Sequence, residues 1–188
     1  MTDMRIKVGV MGSAASESAR LETGNTLVAR AERLAQVIAT KDVVLLTGAT
    51  TGIVYVVGKT AHDAGAFHIG ISPGSNESEH SELYKLPVDA CDALIYTGFG
   101  LKGRNVVLVR SCDIVLFIAG AMGSLNEFTI AHDEGKIIGC LTGTGGVADE
   151  SEYLLQHFGK RTTARVFHSD DPETLINDCL SGLKTIGG

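Results

Sequence analysis

The chain has 188 residues, of which 44% are apolar, 20% charged and 5% aromatic, with a formal net charge of -6. That length leaves room for one domain with a substantial core over residues 1–188, and so much apolar content excludes a disordered chain. The 16 basic residues are scattered with no run longer than Lys160-Arg161, which argues against a nucleic-acid partner; the longest apolar stretch, Ile114 to Leu125 with glycine counted in and Ser124 interrupting, is too short for a membrane span.

In chain order, the first candidate strand is Ile6 to Met11. It begins in MTDMRIKVGVM, which has no small-residue cleavage site, so a mature cytoplasmic protein is expected. Thr26 to Thr40 places Leu27, Ala31, Leu34, Ala35 and Ile38 on one helical face. Strands follow at Val43 to Thr47, His68 to Ser72 and Ala93 to Tyr96. Pro73 to Asp89, PGSNESEHSELYKLPVD, is expected to be a long polar loop or lid. Within it Glu77, Glu79, His80 and Glu82 have no diagnostic cation-ligand spacing, and a solvated loop is the expectation.

Asn105 to Val109 reads NVVLV, a strand by propensity. A helix is expected instead, because the strands Ala93 to Tyr96 and Ile114 to Ile118 need a crossover between them. Strands at Ile137 to Leu141 and Arg165 to His168 precede a last helix, Pro172 to Lys184, with Leu175, Ile176, Cys179, Leu180 and Leu183 on its apolar face. Asp171-Pro172 is a helix start, and Asp149 with Glu152 fits an acidic capping box. Gly65, Gly135 and Gly159 sit where left-handed helix ends would need glycine. Cys91, Cys112, Cys140 and Cys179 form no CxxC pair and read as reduced, mostly buried thiols.

Strands alternating with helices, several of the strands apolar nearly throughout, imply an α/β fold: a Rossmann-like three-layer sandwich of about seven mostly parallel strands with helices on both faces. In such a sheet, ligands bind beyond the carboxyl ends of the strands, where glycines let backbone N–H groups approach a phosphate. The chain carries 23 glycines, whereas average usage would give about 13. Twelve of the 23 fall at or just beyond predicted strand ends, which points to that edge as the binding edge. The candidate binding residues there are Gly12, Ser13 and Ala14; Gly48, Ala49, Thr50, Thr51 and Gly52; Pro73 and Gly74; and Gly120, Ala121, Met122, Gly123 and Ser124. No P-loop and no complete GxGxxG is present. The expected ligand combines a phosphate with a planar ring.

Two charged residues belong to the same row. Arg104, beside Asn105, opens the crossover after the fourth strand, and Glu127 lies one turn into the helix after the fifth. An arginine there suits a phosphate or ribose, and a carboxylate suits positive charge developing on a sugar ring. Ser124-Leu-Asn-Glu127 is equally a capping box in which Glu127 would only close its own helix. His132, beside Asp133 and Glu134, reads as a solvated helix end.

Arg104-Asn105 through Cys112-Asp113, followed by Ala119-Gly120-Ala121-Met122-Gly123-Ser124-Leu125-Asn126-Glu127, resembles the signature of the Lonely Guy (LOG) family, often mislabelled lysine decarboxylases: an Arg and a downstream PGGxGTxxE. The 23-residue offset from Arg104 to Glu127 fits that pattern. The resemblance covers roughly residues 5 to 145 and implies a Rossmann-like fold in a homodimer or homotetramer. In the family's enzymes it implies hydrolysis of the N-glycosidic bond of a nucleoside 5'-monophosphate to free base and ribose 5-phosphate, with Arg104 and Glu127 as the catalytic pair. Ala119 replaces the pattern's proline, Ala121 its second glycine and Ser124 its threonine. The Ala121 methyl sits where positive φ or phosphate contact would be needed, which ranks binding above hydrolysis. Gly103-Arg104-Asn105, Leu125-Asn126-Glu127-Phe128 and Asp133-Glu134-Gly135-Lys136 are more similar to the molybdenum cofactor carrier proteins. That branch implies a phosphorylated pterin, molybdopterin with its dithiolene-held metal, carried or stored without turnover and without metal-ligating residues of the protein.

Overall fold

The computed structural model describes residues 4–13 and 24–184. Seven strands, β1 (Ile6–Gly12), β2 (Val43–Thr47), β3 (Phe67–Ser72), β4 (Ala93–Tyr96), β5 (Ile114–Ile118), β6 (Ile137–Leu141) and β7 (Arg165–Ser169), alternate with helices α1 (Gly24–Ala39), α2 (Ile53–Asp63), α3 (Gly100–Ser111), α4 (Met122–Asp133), α5 (Gly146–Phe158) and α6 (Pro172–Lys184). The strands form one sheet in the order β4-β3-β2-β1-β5-β6-β7, and every pairing is parallel. The chain winds outward from β1 to β4, then returns to the other side of β1 and winds out to β7. The winding reverses between β1 and β5, which makes the gap at their carboxyl ends the topological switch point.

Strand period decides the two cores. All five residues of β5 are buried: Ile114, Leu116 and Ile118 face the layer of α1, α2 and α6, while Val115 and Phe117 face that of α3, α4 and α5. The expected apolar face of α1, from Leu27 through Ile38, is buried in the first layer with Leu175, Ile176 and Cys179 of α6. NVVLV is helical within α3, and Leu108 and Val109 anchor the second layer. Tertiary packing there overrides β propensity.

Local punctuation differs in two places. The residue before α5 is Gly145, at φ 83; Asp149 lies inside the first turn and accepts from the Gly143 and Gly145 amides at 2.6 and 2.9 Å. It therefore closes the helix start from within rather than opening it. Gly65 and Gly135 have the expected positive φ. Gly159 is extended at φ -66, and glycine serves there because a Cβ would run into the Leu155 carbonyl.

The segment after β3 is fastened rather than a free lid. It carries a five-residue π-helical turn, Glu79–Leu83, with His80 fully buried. The Pro87 carbonyl only accepts, so His80 Nε2–H donates to it at 3.0 Å; Nδ1 then accepts from the Ser72 hydroxyl at 2.8 Å. His80 thus belongs to the packing, apart from its acidic neighbours. Among the described residues no group of His, Cys, Asp and Glu could hold a metal ion, and no helix is long and apolar enough to cross a membrane.

Candidate functional site

A cavity of about 340 Å³ opens at the switch point, within the size range of small-molecule sites. Its floor is the end of β1, its sides are Gly48, Thr50 and Val54, and its far wall is the first turns of α3 and α4. Of the residues expected from sequence, Gly12, Gly48, Thr50, Arg104, Asn105, Met122, Gly123, Ser124 and Glu127 line it.

Arg104 and Glu127 meet across this crevice, with Nη1 and Oε1 3.6 Å apart and side chains 6% and 10% exposed. The alternative in which Ser124 and Glu127 form a capping box does not occur. The residue before α4 is Ala121, and among the described residues no side chain caps the helix. Ser124 instead donates its hydroxyl to the Gly12 carbonyl at 3.1 Å. Glu127 is left to face Arg104, and among the described residues the first N–H groups of α4 have no side-chain acceptor beside the cavity. A Cβ on Gly123 would meet none of the described residues within 4 Å.

Burial acts on both charges. It pushes Glu127 up to about 7, against the pull of Arg104 and then Lys102, and it lowers Arg104, against the support of Glu127. Arg104 Nε is buried without a hydrogen-bond partner among the described residues. The Asn105 amide completes the group. Seated with its nitrogen toward Glu127, it donates to Oε1 at 3.1 Å and to the Leu101 carbonyl at 3.0 Å. A buried cation, a carboxyl group that titrates near neutrality and a shared amide are a set suited to holding an anion or moving a proton.

The surrounding loops fix this geometry. Gly48 is glycine because the Arg104 guanidinium lies over it: a Cβ there would sit 2.5 Å from Cζ. Ser13 ties three strand ends together, its hydroxyl accepting from the Gly120 amide and its carbonyl from the Ile53 amide, each at 3.0 Å. Ala119, at φ 54, donates its amide to Thr144 Oγ1 at 2.8 Å. Ala49, at φ 48, donates to Thr47 Oγ1 at 3.2 Å. Thr47 Oγ1 lies 2.9 Å from His68 Nε2, and His68 Nδ1 bonds the Ala90 carbonyl. That carbonyl only accepts, so Nδ1 carries the proton and the Thr47 hydroxyl donates to Nε2. Desolvation holds His68 down to about 4, which keeps this relay neutral.

The remaining expected residues are placed as follows. Thr51, Gly52, Gly120 and Ala121 belong to the framing loops, with Gly52 and Gly120 at positive φ. Pro73 and Gly74 do not reach the cavity; their carbonyls accept from Gly100 and Gly98 at 3.1 and 2.9 Å and fasten the turn into α3. Ala14 lies outside the described residues. Ala121 is extended, with φ -121 and ψ -150, so its methyl causes no backbone strain and the positive-φ half of the ground for ranking binding above hydrolysis falls. The positive φ belongs to Ala119, at the position of the family pattern's proline, and proline cannot adopt it. Lys102, exposed at the cavity mouth, and the apolar wall of Val10, Met11, Val54 and Leu101 were not anticipated. Lys102 had a readable signal: it lies two residues before Arg104 in the first turn of the same helix.

Residues 5–176 match the SLOG cluster4 family. Among solved structures, TM1055 superposes with a TM-score of 0.79 at 23% identity, covering 94% of this chain and 99% of that one. The molybdenum cofactor binding protein from the phototrophic bacterium Rippkaea orientalis gives 0.70 at 25%, covering 98% and 99%. The molybdenum cofactor carrier protein from Chlamydomonas reinhardtii gives 0.70 at 24%, covering 96% and 99%. All share the Rossmann-like α/β architecture.

Proposed function

Since the chain belongs to the SLOG cluster4 family, we propose that it binds and carries a phosphorylated heterocycle at the switch-point cavity, with the molybdenum cofactor as its ligand. The observation that carries this reading is the buried Arg104, whose Nε has no partner among the described residues, beside a start of α4 that none of those residues' side chains caps. Arg104 and the α4 amides would hold the phosphate, Lys102 would add charge at the mouth, and the apolar wall of Val10, Met11 and Val54 would receive the ring. The names of the Rippkaea and Chlamydomonas proteins support the choice of ligand. The protein would work as a single domain in a homodimer or homotetramer. Anaerobic incubation with released cofactor, followed by assays of bound cofactor and of its protection from oxidation, tests the proposal. Stoichiometric, protected binding supports it, and no binding at micromolar protein overturns it.

One observation favours a second reading, phosphoribohydrolase activity: Glu127 beside Arg104 titrates near 7, so an appreciable share is ionised at neutral pH and available to stabilise a cationic sugar. Sustained release of base from adenosine monophosphate, lost in Glu127→Ala, would establish hydrolysis and exclude pure carriage.

A further inference from the structure

Arg104 and Glu127 form a one-to-one charge pair inside the crevice. Among the described residues lining the cavity, the only other charged group is Lys102, on α3 at the mouth; β1, the loop after β2 and α2 contribute no titratable side chain. A phosphate seated at Arg104 therefore enters a site whose buried cation already has a counter-ion. Two anions would then share one guanidinium in a poorly solvated space, and like charges so placed do not both remain ionised.

We propose that Glu127 takes up a proton from solvent when an anion is seated at Arg104, so that the ligand replaces the carboxylate as counter-ion and the site binds ligand and proton together. This rests on the phosphate-binding reading of the same crevice. The neutral acid gains a donor where the carboxylate had only acceptors, and repulsion of a phosphate oxygen becomes a hydrogen bond to it. The Asn105 amide nitrogen, seated on Oε1, leaves Oε2 as the place for the proton. Burial already holds Glu127 near 7 in the free site, so the proton is within reach under neutral conditions. The coupling also separates the two functional readings, because a neutral Glu127 cannot stabilise positive charge on a sugar.

The probe is formycin 5'-monophosphate, a nucleotide whose carbon–carbon glycosidic bond resists hydrolysis. Calorimetric titration at pH 8, where the phosphoryl group is ionised, is repeated in buffers of different ionisation enthalpy to count protons. The wild type is expected to take up close to one proton per ligand and to lose affinity about tenfold per pH unit from 8 to 9. Glu127→Gln should take up none and bind with an affinity flat over that range. In the wild type, the infrared band of a protonated carboxylic acid should grow as ligand is added, which checks the assignment without a substitution. Binding without proton uptake, or uptake that persists in Glu127→Gln, overturns the coupling and leaves the binding site standing. Binding of neither this nucleotide nor released molybdenum cofactor overturns both.

Discussion

Gly48→Ala isolates the contact between the loop after β2 and the buried guanidinium. Gly48 is not among the residues with positive φ, so alanine itself is acceptable to the backbone and the cost must come through Arg104. The new Cβ would collide with Nη1 and lie 2.5 Å from Cζ and 2.8 Å from Nη2, so an ordinary contact distance requires the guanidinium to retreat by about 2 Å. Removing one partner of a buried pair costs about 3–5 kcal/mol. Here the charge is displaced rather than removed, and Glu127 has protonation as an escape, so a loss of about 2 kcal/mol is expected, read as a fall in Tm of about 4–8 °C for a chain this long. In an Arg104→Met background the opposing atoms are gone, and the same substitution should cost less than about 0.5 kcal/mol or stabilise slightly by restricting the unfolded chain. Urea unfolding of the four proteins closes the cycle, with an expected coupling of about 2 kcal/mol. Additivity to within about 0.5 kcal/mol would show that the guanidinium does not lie over Gly48.

Three further outcomes are expected. Ala119→Pro demands a φ proline cannot take and deletes the amide bond to Thr144, so it should cost more than about 3 kcal/mol in urea unfolding, whereas Ala119→Gly should be neutral or stabilising; equal stability of the two would refute the positive φ. Thr47→Val strands His68 Nε2 and the Ala49 amide and should cost about 1–3 kcal/mol, with Thr47→Ser restoring most of it; nitrogen NMR of the wild type should show His68 protonated at Nδ1, and an Nε2–H tautomer would contradict the relay. The pH dependence contains two opposed contributions. Glu127, raised to about 7, adds stability below its unfolded pKa near 4.5 that is lost as pH rises through 7. His68, lowered to about 4, adds stability above its unfolded pKa near 6.5 that is lost as pH falls through 4. Each shift is worth about 3 kcal/mol, so they nearly cancel between pH 4 and 7, and Glu127→Gln should unmask stability that climbs with pH over that interval. An unchanged profile in the variant would show that Glu127 titrates normally.

Most strands were legible because they are short, largely apolar runs closed by a turn, as in β5 and β6, which are buried throughout, whereas the edge strand β7 carries Arg165 and His168. The α3 helix was legible only through topology, since NVVLV alone reads as strand. At the site, the pairing of Arg104 with Glu127 followed from spacing once each was placed just after a strand end. What spacing could not resolve was the start of α4. Both Ser124 and Ala121 are admissible first residues locally, and the choice is made by the Gly12 carbonyl, which is distant in sequence and draws the Ser124 hydroxyl away. His80 and His68 were illegible for the same reason: their partners Ser72, Pro87, Thr47 and Ala90 are brought together by folding. Pro73 and Gly74 shared the composition of a binding loop, but β3 lies two strands from the switch point, so distance along the sheet separates them from the ligand cavity.

The sheet order bears on how the molecule is made. β1 is internal in the finished protein, yet its two neighbours emerge far apart in time: Val8 lies opposite Leu45 on one side and Ile114 on the other. A nascent chain that has reached β4 therefore presents Ile6–Gly12 as a raw strand edge, open to any other chain until β5 arrives. Closure of that seam is what creates the crevice, so no half-made molecule can hold a ligand there. Once closed, a ligand bound there as proposed would bridge the end of β1, the loop after β2 and the start of α4 and act as a rivet between the two halves of the sheet, and its presence should slow their separation.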